Sequence, residues 1–274
     1  MPVPSRSSAS DPLGVRRLIT IEDRSHEFPV SAIGNAWSRE YYDGPFHLYD
    51  VPKVHPAMSL VFVQSRDGNT GAANPGDLGG GPTDRYLIYE GLSRVAADGV
   101  MAGAHTIGTS VFFSITHPQL VALRNELGLP HPAQIVVSER GHIDLSSKLF
   151  STPGVPVYLL AGRVCMEHTT AALRDRPWIT RVPIEDDLPA ALMRLRRDHG
   201  MSRISVVGGP ILATSLVDAG LVQDICLTTS AIDAGEPGTP WYTGKTAPLL
   251  KLIVSKREDT AVAPIRVEHF AIGP

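Results

Sequence analysis

Long apolar runs are missing from this chain of 274 residues: no stretch reaches the roughly 18 residues of a membrane helix, and no apolar core follows the basic residues near the N-terminus. No membrane partner is expected. An excess of either charge is missing as well. Twenty-five Lys and Arg against 28 Asp and Glu leave a formal net charge of −3, so no basic field points to nucleic acid, while a small anionic ligand stays open. Cysteine is nearly absent. Cys165 and Cys226 are too few for a disulfide framework and show no C-x-x-C spacing, which fits a reducing, cytoplasmic setting. Ten histidines are scattered, Cys165 with His168 is only a two-ligand fragment, and no metal site is read. No G-x-S-x-G elbow supports covalent catalysis.

What is present is an ordinary soluble composition, 43% hydrophobic and 19% charged. Residues 1–12, MPVPSRSSASDP, are rich in Ser and Pro without periodicity and read as a disordered tail. Residues 13–54, with Trp37, Tyr41, Tyr42, Phe46 and Tyr49, show little regular pattern and read as an N-terminal extension packed on a single domain at 55–274. Within that domain, apolar runs at 58–64, 100–102, 133–138, 155–161, 203–207 and 224–229 predict strands, those at 133–138 and 155–161 covered on both faces. Helical patterns lie between them. One starts at Thr83, a capping residue with Asp84 in its first turn; others span about 118–127, with Gly128 as its stop, and 187–199, with Gly200 as its stop. Residues 71–82 are glycine-rich and predict a mobile loop. Two last strands near 249–256 and 264–271 form an antiparallel hairpin. Alternating strands and helices imply an α/β fold, a doubly wound and mostly parallel sheet closed by that C-terminal hairpin.

Two strand-to-helix turns stand out, Gly103-Ala104-His105-Thr106 and Gly208-Gly209-Pro210. In an open α/β sheet, ligands bind beyond the carboxyl ends of strands, where helix N-termini offer free N–H groups and partial positive charge. Glycine lets a phosphate or ribose approach, and proline suits the first helical position because its missing N–H was unpaired anyway. Each turn alone is equally well a tight turn. Neither is a G-x-G-x-x-G fingerprint or a P-loop. Together they suggest a dinucleotide pyrophosphate held between two strand ends.

These residues, taken as a set, resemble the reductase domain of the riboflavin-biosynthesis deaminase/reductases. The resemblance is strongest over ISVVGGPILATSLVDAGLVQDICLT (204–228), with SRDG (65–68), LSRVAADGVMAGAHTI (92–107) and HPQLVALRNELGLPHPAQIVVS (117–138) in support. It implies a dihydrofolate-reductase-like fold, NADPH as hydride donor, a small heterocyclic substrate such as 5-amino-6-(5-phosphoribosylamino)uracil, and a homodimer. Carried over position by position, it implies cofactor contacts at Val63, at Gly103, Ala104 and Thr106, at Ser138, and at Gly208, Gly209, Pro210, Ile211 and Leu212. Arg140, just after the strand ending at Ser138, is either a partner for a 2′-phosphate or a solvated arginine. On the substrate side it implies Arg94 and, for a ribose phosphate, Arg124. Asp67 is either a turn former or an acid at the cleft, and Asp84 either a first-turn charge or the second acid.

The departures are as specific. Where the family carries a glutamate before the glycine pair, reading the pyrimidine, this chain has Val207, and an isopropyl group cannot accept the same N–H donors. The stretch from Thr106 to Phe113 also lacks the family's acids. Two functions stay open: an NADPH-dependent reductase with a diverged substrate, and a catalytically silent nucleotide-binding protein of the same fold. Hydride transfer asks little of the protein beyond placement and dryness, so no catalytic residue is assigned.

Overall fold

The computed structural model describes residues 10–108, 111–139, 143–185, 187–259 and 262–273. Most of the proposed tail, 1–9, lies outside them. The N-terminal segment forms β1 (Leu18–Asp23), β2 (Val30–Ile33), helix α1 (Ala36–Tyr41) and β3 (Phe46–Tyr49). The aromatic stretch that shows little pattern in sequence is thus largely regular. Its elements are four to six residues long, too short for periodicity to register. Asn35 caps α1, its Oδ1 accepting the Ser38 N–H at 2.9 Å.

β4 (Ala57–Gln64) leads through the glycine-rich loop to α2, a single α turn (Gly81–Thr83) that widens into a π-helix (Asp84–Leu92). The Ser93 N–H reaches back five residues to the Ile88 carbonyl, 2.9 Å away. Gly91 lies where Phe46 packs: a Cβ there would sit 2.8 Å from the Phe46 ring. Thr83 is no cap. Its hydroxyl donates to Glu258 at 2.6 Å and accepts the Arg16 N–H at 3.1 Å. The loop before α2 is also tied down rather than mobile, with Leu78 buried and Gly71 bonded to residues 236 and 239.

Five more parallel strands follow with their helices: β5 (Gly99–Gly103), α3 (Pro118–Glu126), β6 (Ala133–Ser138), β7 (Val157–Ala161), α4 (Arg163–Thr169), β8 (Ile179–Pro183), α5 (Leu188–His199) and β9 (Arg203–Val206). α6 (Pro210–Asp218) and β10 (Asp224–Thr229) complete the alternation, and β11 (Leu249–Glu258) with β12 (Arg266–Gly273) makes the hairpin. The main sheet has ten strands in the order β1-β11-β12-β10-β4-β9-β5-β6-β7-β8. β10 to β8 run parallel, and β12, β11 and β1 alternate antiparallel beside them. A separate ribbon pairs β2 with β3.

Both faces are covered, so the central strands are apolar on both sides. α5 and α6 pack on Met58, Leu60, Met101, Val206 and Ile225. α2, α3 and the N-terminal segment pack on Val61, Cys226 and Val267, and α4 on Val100, Ala102 and Leu159 beside them. Each such fully buried Leu, Ile or Val contributes about 1.5–3 kcal/mol. β1 covers the outer edge of β11, so that edge of the hairpin is already paired within the chain. Lys256 locks that corner, its Nζ over the Tyr42 ring and donating to Thr20 at 2.7 Å.

Gly162 joins β7 to α4 against a neighbouring strand end. A Cβ there would lie 2.1 Å from the Glu139 carbonyl oxygen, a backbone atom that no rotamer change can move. Gly162→Ala is therefore expected to lower unfolding free energy by about 1–3 kcal/mol, read from urea melts. A variant as stable as the parent would contradict the packing of β6 against this turn.

Candidate active site

β5 and β9 are parallel neighbours, with Met101 opposite Val206, and the Val207 N–H donates to the Met101 carbonyl at 2.9 Å. Both strands therefore end side by side, and the two glycine turns meet. At Gly208 a Cβ would come 2.8 Å from the tip of the Leu212 side chain and 3.4 Å from the Gly103 nitrogen, so a side chain there needs Leu212 to shift. Gly103 and Gly209 differ. Their φ values, −73° and −68°, suit any residue. A Cβ on Gly103 would meet nothing within 4 Å, and one on Gly209 only the Thr106 hydroxyl at 3.9 Å. Neither turn geometry nor packing asks for glycine at these two positions, so the bare backbone borders an open bay.

α6 opens onto that bay without a side-chain cap. Pro210 has no N–H, the Ala213 N–H already bonds the Gly209 carbonyl at 3.2 Å, and the Ile211 and Leu212 amides are left as the free first-turn donors. These donors, the helix dipole and Thr106 fit the oxygens of a pyrophosphate. Ile211 is exposed beside the bay, but the Leu212 side chain is core, so only its amide can serve a ligand. Ser138 is buried as well. It ends β6, but its hydroxyl lies against the Cys165 thiol and its carbonyl accepts the Gly162 N–H, which turns the side chain inward. Arg140 lies outside the described residues.

On the substrate side, Val63 and Val207 stand near the carboxyl ends of adjacent strands and on the same sheet face. Val207 packs against the two apolar clusters on that face. Asp67 is a turn former: its carboxylate accepts from Ser65 at 2.5 Å and Asn69 at 2.6 Å, around Gly68 at φ +86°. The two arginines are placed elsewhere. Arg94 and Arg124 lie at the amino ends of β5 and β6, a strand length or about 15 Å from the bay. Arg94 is 1% exposed, stacked 4.0 Å over Tyr89 and bonded to the Ser114 carbonyl. Arg124 donates to the carbonyls of Pro130, Val95 and Ala97 at 2.6, 3.0 and 2.8 Å, and burial brings its pKa down to about 10. Both are buried, yet Arg94 Nε and Nη2 and Arg124 Nη2 have no hydrogen-bond partner among the described residues.

Asp84 is the carboxylate that does face the carboxyl edge. It sits in the first turn of the π-helix, and Gly80 makes room for it, since a Cβ there would lie 2.9 Å from its Oδ2. Its Oδ1 is shut off from solvent with no hydrogen-bond partner. Burial pushes its pKa up to about 6, and the Thr228 hydroxyl beside it offsets this only in part. Thr228 pairs with Val63 across β4 and β10. The Thr228 hydroxyl is buried against the Asp84 carboxylate, and the Ser230 hydroxyl is buried without a hydrogen-bond partner. Sequence reading missed both. The alternation of Asp224, Cys226 and Thr228 on one face of an apolar strand was the available signal. Lower on that face, Asp224, Cys226 and His269 bring donor atoms within 4.8 Å of one another, though Asp224 and His269 bond each other at 2.7 Å. Among the described residues no helix is long and apolar enough to cross a membrane.

The RibD C-terminal domain family matches residues 56–262 of this chain. Among solved structures, RibD from Acinetobacter baumannii superposes with a TM-score of 0.62 at 14% identity, over 81% of this chain and 59% of that one. The chain thus spans about three fifths of that protein. A pyrimidine reductase-like protein from Corynebacterium diphtheriae gives 0.59 at 19% identity, over 80% and 92%. Riboflavin biosynthesis reductase Rib7 from Saccharomyces cerevisiae gives 0.54 at 15% identity, over 81% and 92%. No curated protein matches the sequence.

The placement of Arg124 has a direct consequence. Arg124→Ala leaves buried carbonyls unpaired and is expected to cost about 2–4 kcal/mol in a denaturant melt. An unchanged melt would return Arg124 to the list of ligand contacts.

Proposed function

The chain belongs to the family of the RibD C-terminal domain, and from that premise we propose that it is an NADPH-dependent reductase of a small heterocyclic compound, similar to the aminouracil reductases of riboflavin biosynthesis but diverged in substrate. The observation that carries this reading is the bay at Gly103 and Gly209, bare without conformational cause and faced by the uncapped start of α6. The nicotinamide, when bound, supplies the hydride. The protein's part is to hold the pyrophosphate on the Ile211 and Leu212 amides and Thr106, with the backbone near Val63 serving the reacting end. Arg140 is proposed to favour a 2′-phosphate. Val207 supports a changed substrate, because it turns an accepting position into an apolar one. A homodimer and a cytoplasmic setting belong to the same proposal.

NADPH should raise the melting temperature of the purified protein more than NADH does, by mass-action stabilisation of the folded state. Absence of any shift at millimolar concentration would remove the cofactor. Gly103→Ala and Gly209→Ala should each keep the parent's stability to within about 0.5 kcal/mol, because their methyl groups enter open space. Each should nonetheless weaken the NADPH shift by filling the bay. Equal NADPH shifts in parent and variants would place the cofactor elsewhere. Loss of absorbance at the reduced-nicotinamide band, screened with 5-amino-6-(5-phosphoribosylamino)uracil and related pyrimidines, separates a reductase from a silent binder of nucleotides.

A further inference from the structure

At the amino edge of the sheet, away from the bay, Asp224 and Cys226 on β10 and His269 on β12 bring a carboxylate oxygen, a thiol sulfur and an imidazole nitrogen within 4.8 Å of one another, and all three residues are buried. Strand pairing sets this up. His269 stands directly opposite Cys226 in the antiparallel pair, and Asp224 lies two residues back on the same face, 45 residues from His269 along the chain. Scattered histidines in the sequence give no sign of the grouping. The Ser59 hydroxyl donates to Asp224 Oδ2 at 2.6 Å, and His269 Nε2 reaches the same oxygen at 2.7 Å. The second ring nitrogen, Nδ1, is buried without a hydrogen-bond partner, so the imidazole is only half satisfied. β3 lies over the cluster: His47 and Tyr49 line, with Ser59 and Asp224, a cavity of ≈ 30 Å³. A water needs roughly 10–15 Å³ of such space, so the cavity can hold one beside Asp224.

We propose that Asp224, Cys226 and His269 bind a zinc ion, with a water in the cavity beside Asp224 as the fourth ligand. The donor set selects the ion. Thiolate and imidazole suit Zn²⁺, whereas Mg²⁺ and Ca²⁺ call for oxygen ligands throughout. Two nitrogen or oxygen donors about 2 Å from a tetrahedral ion stand roughly 3.3 Å apart, so the ion enters as the Asp224–His269 contact opens from 2.7 Å. One carboxylate and one thiolate balance its charge, which leaves the buried site neutral. A nucleophilic cysteine fits less well, because the imidazole bonds Asp224 rather than the thiol and no nucleophile is paired with its base. The ion fastens β12 to β10 beneath the N-terminal ribbon, and its effect falls on stability rather than on chemistry at the bay. The site does not rest on the reductase reading.

The test uses the full chain, stripped of metal with a chelator and then given one equivalent of Co²⁺ or Zn²⁺. Bound Co²⁺ should show a thiolate charge-transfer band in the near ultraviolet together with the strong visible bands of four-coordination, and Zn²⁺ should displace it. Saturating Zn²⁺ should raise the melting temperature of the stripped protein by at least about 5 °C, while Mg²⁺ leaves it unmoved. The charge-transfer band decides the matter, because histidines elsewhere on the chain bind zinc without a thiolate. Cys226→Ser should abolish that band, and Cys165→Ser, which alters a thiol in a different cluster, should keep it. Asp224→Asn should keep the band and weaken zinc binding about tenfold or more. A parent that shows no cobalt–thiolate band, or a band that survives Cys226→Ser, overturns the proposal.

Discussion

Seven strands running in one direction put seven carboxyl ends on one edge of the sheet, and everything functional in this chain depends on that alignment. The decisive contact is the pairing of β5 with β9, continued by the hydrogen bond from Val207 N–H to Met101 carbonyl. It brings together two turns that are about a hundred residues apart in sequence. Had β5 and β9 been separated by another strand, Gly103 and Gly209 would be two unrelated turns. As neighbours they frame one bay. The contact distance at Gly208, where a methyl group would touch the Gly103 nitrogen at 3.4 Å, shows how closely the two backbones approach.

Glycine therefore stands under different constraints in this one region. Gly208 lies against the tip of Leu212, Gly68 sits in a left-handed turn, and Gly103 and Gly209 meet neither condition. Sequence alone cannot tell these causes apart, since all four are a glycine at a strand's end. Only the φ angle and the space around a would-be Cβ separate them. The same holds for the polar residues. Ser138, Arg94 and Arg124 have the residue types of a ligand site, yet their side chains are turned into the interior by the elements that carry them.

What was legible in the sequence follows from how each element signals itself. Strands covered on both faces, such as β6 and β7, announce themselves as apolar runs, and α5 shows its apolar stripe, its C-terminal basic residues and its glycine stop together. β1, β3 and α1 gave no such signal because each is short and half-covered, taking its burial from distant partners. Tyr42 and Phe46, fully buried against α2, could be read only as aromatics in a turn-rich stretch. The parallel order was implied by alternation, but which strand neighbours which was not. Asp84 shows the same limit at the level of chemistry. Its place in a first turn explains it electrostatically from sequence, while its burial against Thr228 appears only once Thr228 and Gly80 surround it.

The division of labour along the carboxyl edge explains how one part of such a site changes without the other. The bay is built from backbone: the bare Cα positions of Gly103 and Gly209, and the amides that start α6. Position 207 serves the bay only through its own N–H, bonded to β5, and any residue except proline supplies that. Its side chain points to the other task, next to Val63 on the face shared with Asp84 and Thr228. Exchange of a side chain at 207 therefore alters the face beside β4 and leaves the backbone of the bay intact.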